Sequence, residues 1–508
     1  MPLGKAPKGC SIAYSCSPPL FSSQFCSLSP GDAIYYSRHK QLHMQHPQVP
    51  KPHISLLFFF MAIVLEINMG SSEFIFFVIH HFAVVVAAAL VIIYLVHKRK
   101  ASIYLLDFTC YRPPASCRVP ISMHRELVSL DTRFDPDSIA FQIKILERSG
   151  FSSETCVPPS FCEHPIRKSL SFALEEASLV IFSVVTDLFK KTNINPKSID
   201  ILVLNSSMFS PTPSLSAMVI NKFRMRSNIR SFNLSGMGCS AGIVSVGLAR
   251  DLLRVHRNSL ALIVSTEVIN LNWYTGKNRS MLLTNCLFRM GGAAILMSSQ
   301  TQDMNKAKYV LQHLVRTNRA GDDQSYACVF QDMDLENNVG VSISKGIINV
   351  AGDALKANMA STGPLVLPFS EQFLYGLSII CRKIWRRSIY VPNFRRAFEH
   401  FCIHAGGRAV IEAMEKSLRL KKEDVEASSM TLYRFGNTSS SSIWYELSYL
   451  EAKGRMKKGD RVWQIAFGSG FKCNSAIWKC IHEVGVETNV WSDRIHSYPI
   501  HVLDILKD

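Results

Sequence analysis

Hydrophobic and polar positions divide the chain into three stretches. The longest unbroken apolar run, Phe74 to Val96, has about 23 residues without a formal charge, enough to span a bilayer as a helix. His80 and His81 lie inside it, and both can be carried neutral. A shorter apolar run, Ile54 to Leu65, ends at Glu66, and the two predict a helical hairpin turning at Asn68-Met-Gly-Ser-Ser72. Residues 54–97 therefore read as a membrane anchor of one or two helices. His97-Lys-Arg-Lys100 follows directly, so the positive-inside rule predicts that everything after it faces the cytosol.

From about Tyr104 the pattern changes to short apolar runs alternating with helical periodicity. Ile201–Leu204, Leu260–Ser265, Ala293–Met297, Phe401–His404, Met430–Tyr433 and Val462–Phe467 read as strands. Ser171–Lys191, Ala409–Leu420 and Trp444–Lys453 read as helices between them. This alternation predicts an α/β fold.

Composition refines the picture at the N-terminus. Residues 1–53 are rich in Ser, Pro and Cys with Asp32 as their one acidic residue, a composition shared by transit peptides and disordered leaders. The 508 residues supply ample material for a core, and the 14 cysteines follow no repeated spacing, which predicts reduced thiols rather than a disulfide framework. The net charge of +17 is spread along the chain without an aromatic-studded basic stripe. It points to an anionic membrane surface or an anionic carrier such as coenzyme A, and nucleic acid is not expected as a partner.

Candidate chemistry begins at Cys239, in the run Asn233-Leu-Ser-Gly-Met-Gly-Cys-Ser-Ala-Gly242. Gly236, Gly238 and Gly242 keep the backbone bare around the thiol, and an uncharged small-residue helix follows. A thiol at the first turn of that helix faces unpaired N–H groups, a setting that predicts a lowered pKa and a nucleophile. The competing reading is a small buried hydrophobe. Phe401-Cys-Ile-His-Ala-Gly-Gly-Arg408 puts His404 at a strand end before the bare backbone of Gly406. Met430-Thr-Leu-Tyr-Arg-Phe-Gly-Asn437 reads as a strand running into Gly436 and Asn437, ahead of hydroxyl residues that can cap a helix. A backbone-satisfied core histidine and a simple helix cap are the alternatives for these two residues. Gly468 and Gly470, after the strand ending at Phe467, offer backbone donors to a substrate or form an ordinary turn. His400 and His404 stand four apart, a metal-ligand spacing on a helix, but no second histidine box accompanies them. His400 therefore reads as a supporting residue, and neither a metal nor a cofactor is expected.

At this point the chain resembles the plant 3-ketoacyl-CoA synthases, membrane-bound condensing enzymes of very-long-chain fatty acid elongation. The resemblance runs from about Tyr104 to Ile481 through Pro211–Met218, Asn228–Asn233, Asn285–Gly292, Gly363–Pro368, Phe401–Arg408, Arg434–Tyr445 and Val462–Asn474. It implies a thiolase-like fold of two similar βαβαβαββ halves in five αβαβα layers, residues 104–300 carrying the nucleophile and 301–508 the histidine and asparagine. It further implies Cys239 as acyl acceptor, His404 and Asn437 as catalytic partners, and substrates long-chain acyl-CoA and malonyl-CoA. An endoplasmic reticulum membrane location, a homodimer, and an elongase complex with ketoacyl-CoA reductase, dehydratase and enoyl-CoA reductase belong to the same expectation. Two positions depart from the family pattern: Tyr433 precedes Arg-Phe-Gly-Asn and Asn318 follows Val-Arg-Thr, where the family usually has histidine. These departures keep a second reading open, a weakly active or inactive paralogue that binds within an elongase complex. A soluble type III polyketide synthase-like enzyme, built on the same Cys/His/Asn logic, is a third.

Overall fold

The computed structural model describes residues 71–99, 102–163, 165–385, 390–485 and 487–500. The expectations for residues 1–53 and for a helix at Ile54–Leu65 lie outside the described residues. The chain divides into two units with the boundary between Tyr94 and Leu95. Helix α1, Ser71–Arg99, contains Ile75–Ile93, a 19-residue span of mean hydropathy 2.6 that the protein does not bury. Its start at Ser71 makes helix of the last two positions expected in the hairpin turn.

The second unit is a repeat of one motif. Strand β1, Tyr104–Cys110, leads past two inserted helices, Ile121–Leu130 and Pro136–Leu146, to helix α2, Leu170–Thr192, strand β2, Ile201–Asn205, helix α3, Leu215–Phe223, strand β3, Arg230–Leu234, helix α4, Ala241–Val255, strand β4, Leu260–Thr266, and, past a further helix at Arg279–Leu287, strand β5, Gly292–Ser298. Parallel pairing of β2 with both β3 and β4, and antiparallel pairing of β5 with both β4 and β1, gives the order β3-β2-β4-β5-β1. Every residue of β2, β4 and β5 is buried, as expected for strands covered on both faces. Ser169 caps α2 by accepting from Phe172 N–H, and Asn193 at φ 53° ends it in the left-handed region.

The second half repeats these relationships. Strand β6, Tyr309–Asn318, leads through a hairpin of β7, Val329–Met333, and β8, Val339–Ile343, to helices α5, Ile347–Val366, and α6, Phe369–Trp385. Strand β9, His400–Ile403, helices α7, Arg408–Leu418, α8, Lys422–Phe435, and α9, Ser442–Ala452, and strands β10, Arg461–Gly468, and β11, Lys472–Cys480, complete it. β9 pairs parallel with β10, and β11 pairs antiparallel with β10 and β6. These are the relations of β2, β4, β5 and β1. A short antiparallel contact of Tyr104–Leu105 with Tyr309–Val310 joins the two halves into one nine-stranded hydrogen-bonded sheet.

Met430–Tyr433 is the one expected strand that is overturned: it is the last turn of α8. By chain order α8 stands where β3 stands in the first half. The four residues Met430-Thr-Leu-Tyr433 fit either period, and here they are all buried because α8 packs on β9 and on α9 together. The remaining predicted strands and helices lie where expected.

Three packed interfaces follow from the duplication. Helices α4 and α9 lie between the halves, and every residue of α9 is buried. α2 covers the outer face of the first half, with Val180, Ile181 and Val184 against Leu202, Leu204 and Val264. α5 and α7 cover the outer face of the second half, with Ala354 and Ile411 against Phe401, Ile465 and Ile477. The result is the five-layer αβαβα arrangement.

Candidate active site

The inner-layer helices α4 and α9 share a position in the repeat, so their N-terminal approaches meet at the junction of the halves. The approach to α4 carries Cys239. Gly236 and Gly238 hold φ of 66° and 68°, which glycine adopts without strain. Gly238 is doubly constrained, because a Cβ there would lie 2.3 Å from the backbone N of Ser469. Gly468 faces the same junction, where an added Cβ would lie 2.5 Å from Ser240 Oγ. The bare backbones of the cysteine loop and of the β10–β11 hairpin thus interlock. The hairpin itself turns at Gly470, φ 120°.

Cys239 is half-buried and precedes the helix, Ser240 being the N-cap. The expected lowering of its pKa is overturned: burial pushes the thiol up to about 12, a hydrogen bond with Ser439 works in the opposite direction, and the nearby Glu267 carboxylate raises it further. The thiol therefore rests protonated. Desolvation disfavours the thiolate more than the helix N-terminus favours it.

Asn437 precedes α9. Its Oδ1 accepts from Ser439 N–H at 2.8 Å, and its Nδ2 donates to Gly406 O at 3.2 Å. The amide thus makes a local turn on one end and reaches the histidine loop with the other; it does not cap α9, whose N-cap is Ser441. His404 continues the β9 ladder through its N–H to Ile465 O at 2.9 Å. Its Nδ1 lies 2.6 Å from Ser442 Oγ at the start of α9, and the Nε2 edge faces Gly406, where a Cβ would be 3.1 Å away. Burial pulls the imidazole pKa down to about 4, so His404 is neutral at physiological pH. Ser439 connects the set: it touches the sulfur, and its backbone holds the Asn437 amide.

Sequence reasoning missed Glu267. This carboxylate follows β4 and is buried among donors. Oε1 accepts from Ser206 Oγ at 3.2 Å and Met208 N–H at 2.8 Å; Oε2 accepts from Ser207 N–H at 3.2 Å and Ser439 Oγ at 3.0 Å. Burial raises its pKa while those hydrogen bonds lower it in part. Ser207 Oγ in turn donates to Gly238 O at 3.1 Å. Glu267 therefore couples the cysteine loop to the asparagine loop. The available signal was a lone acid placed directly after a strand with no polar position for a charge. Asn205, at the end of β2, is a second missed link, accepting from Ser440 Oγ at 2.6 Å and donating to Ser245 and Ser265.

Among the expected supporting residues, His400 stands apart from His404. His400 begins β9 while His404 follows its end, about 13 Å along an extended strand. It pairs with Asp460 at 2.9 Å, so the two histidines cannot share an ion. Among the described residues no group of three His, Cys, Asp or Glu is arranged to hold a metal. Tyr433 packs in the inner core with its ring 6.5 Å from that of Tyr498. Asn318 ends β6 opposite Lys472, exposed, accepting from Ala320 N–H.

The family model for FAE1/Type III polyketide synthase-like proteins matches residues 94–384, and that for the C-terminal part of 3-oxoacyl-[acyl-carrier-protein] synthase III matches residues 396–480. "Probable 3-ketoacyl-CoA synthase 21" of Arabidopsis thaliana is 61% identical over 420 residues, covering 81% of this chain and 90% of that protein. The chain belongs to the 3-ketoacyl-CoA synthase family. A second member, 3-ketoacyl-CoA synthase 5 of the same plant, is 57% identical over 418 residues, 82% of this chain and 85% of its own. Among solved structures, the type III polyketide synthase 1,3,6,8-tetrahydroxynaphthalene synthase from Streptomyces coelicolor aligns with a TM-score of 0.60 at 18% identity, covering 74% of this chain and 99% of that one. CsyB complexed with CoA-SH aligns with a TM-score of 0.57 at 20% identity, covering 75% and 100%. These structures establish the fold alone, and relatives at high identity favour the synthase over the polyketide alternative.

In this 3-ketoacyl-CoA synthase an apolar pocket adjoins the junction, lined by Phe161, Met208, Ile269, Trp273, Thr284 and Phe288 among others. Met208 donates to Glu267, and Phe288 bridges to Asn437, so the pocket shares walls with the site. Helix α3 packs on the outer core, and α6 is largely exposed.

Proposed function

We propose that this 3-ketoacyl-CoA synthase condenses a long or very-long-chain acyl-CoA with malonyl-CoA through an acyl-Cys239 intermediate. The Cys239 sulfur attacks the acyl thioester and coenzyme A leaves as its thiol. Malonyl-CoA then loses carbon dioxide, and the resulting enolate carbon attacks the acyl-Cys239 carbonyl. The Cys239 sulfur departs, and 3-ketoacyl-CoA is the product.

The single observation that carries this reading is the Ser439-centred contact of Cys239 with the Asn437 and His404 loops at the junction of the halves. The enolate oxygen needs donors placed before the charge develops. Asn437 Oδ1 is fixed by Ser439 N–H, which orients Nδ2 as a donor. Ser442 Oγ, 2.6 Å from Nδ1, is able to donate to it, and in the tautomer that this contact selects the neutral His404 carries its proton on Nε2 and supplies the other donor. Glu267 is fully engaged by four donors and is not placed to abstract a proton from an acetyl group. Decarboxylation requires no such base, which supports malonyl as the extender.

α1 with the basic run after it supports an endoplasmic reticulum membrane enzyme whose catalytic unit faces the cytosol. A homodimer and association with the ketoacyl-CoA reductase, dehydratase and enoyl-CoA reductase complete the proposal. Microsomes carrying the chain are expected to release labelled carbon dioxide from malonyl-CoA only with a long acyl-CoA present. Release equal to that of Cys239→Ala would sink the assignment.

A further inference from the structure

Helix α6, in the segment between β6 and β9, is unexplained by the reaction. It leaves Phe369 82%, Phe373 60%, Leu374 42%, Leu377 44%, Ile379 45% and Ile380 58% exposed. None of the six belongs to a hydrophobic core cluster. At 100° per residue Phe369, Phe373, Leu377 and Ile380 form one stripe, while Leu374 and Ile379 lie well to either side of it. The apolar surface therefore wraps around the helix instead of forming one narrow seam. A groove on a protein covers one face of a helix; acyl chains can surround most of it.

Charge points the same way. Glu371 is the one acidic residue of α6, and it is turned inward, accepting from Tyr390 Oη, Asn393 N–H and Arg396 Nη1. The sequence ends the helix with Arg382 and Lys383 and continues with Arg386 and Arg387. An apolar rod with a cationic end matches the boundary between acyl chains and anionic headgroups. The chain also carries α1, long and apolar enough to cross a membrane, and residues 100–103 are all the sequence between its end and β1.

We propose that α6 is an interfacial helix that seats the catalytic unit on an anionic bilayer, its apolar residues among the acyl chains and Arg382, near its C-terminal end, at the headgroup phosphates. The inference stands on exposure and charge and does not rest on the role of Cys239.

The test uses the full chain in nanodiscs of phosphatidylcholine with and without phosphatidylserine, with benzoylphenylalanine replacing Phe373 or, in a second protein, Leu374. Illumination is expected to give lipid adducts on the peptide containing the probe. Their yield should fall when phosphatidylserine is omitted, and by about five-fold per charge removed in Arg382→Glu and Lys383→Glu. Adducts only to a second copy, to another segment of this chain or to an added soluble protein, at both probe positions, overturn the proposal. Lipid adducts indifferent to phosphatidylserine and to both charge reversals overturn its headgroup half. Since the readout is a covalent lipid adduct, failure of the condensation assay and failure of this inference are separate results.

Discussion

Cys239, His404 and Asn437 were legible as candidates because glycine-flanked polar residues at element ends stand out from a chain of buried runs. Their protonation states were not legible, since desolvation is set by what packs around a residue. With the thiol near 12, alkylation of Cys239 by iodoacetamide should be slow at pH 7 and climb steadily to pH 9 and beyond. Ser439→Ala, which removes the hydrogen bond that lowers the pKa, should slow it further at every pH. Mass-spectrometric rates on the labelled peptide check this, and a plateau below pH 8 would contradict it. Glu267 tests the missed network. Gln at this position turns an amide NH2 toward two hydroxyl or N–H donors, which should cost about 1–3 kcal/mol of stability and reduce condensation. Thermal unfolding together with turnover measures both, and an unchanged melting temperature would remove Glu267 from its linking role.

At the scale of elements, long periodic helices and fully apolar strands were read correctly because burial on both faces leaves a continuous signal. Met430–Tyr433 failed because four residues cannot distinguish a buried strand from a helix turn buried on two sides. The glycines of the cysteine loop were singled out from sequence, but their partner was not: Gly238 is bare to admit Ser469, from an element over two hundred positions later. Gly238→Ala should therefore lose condensation activity and cost about 1–3 kcal/mol through strain at positive φ, with a steric penalty in addition. Unaltered circular dichroism with abolished acyl transfer is the expected pattern. Retained activity would show that the loop and hairpin can separate without consequence.

For the whole molecule, the junction of the halves carries a buried ionic network as well as the site. Lys308 Nζ lies 3.0 Å from Asp107 Oδ1, 3.2 Å from Glu451 Oε2 and 2.8 Å from Glu487 Oε2, tying β1 and α9 to the entry of β6. Burial opposes the lysine charge, but the Glu451 and Asp107 carboxylates outweigh it and raise the pKa. Lys308→Met would leave Glu451 without its cation, while Asp107 keeps Lys191 at 2.8 Å, and should destabilise the catalytic unit by ~3–5 kcal/mol. Denaturant unfolding followed by tryptophan fluorescence checks this, and Lys308→Met combined with Glu451→Gln should recover part of the loss. Equal stability of the single variant and the parent would show the network to be dispensable.

The sequence alone determined the apolar span, the α/β alternation, the family and the three candidate side chains Cys239, His404 and Asn437. Each is a local property: hydropathy, periodicity or a contiguous motif survives in one dimension. Tertiary structure decided that Cys239 is protonated, that His404 is neutral, that Glu267 and Ser439 join the two loops, and that His400 stands apart. Those outcomes depend on desolvation and on contacts between residues distant in sequence, and both come into being only when the two halves close on each other.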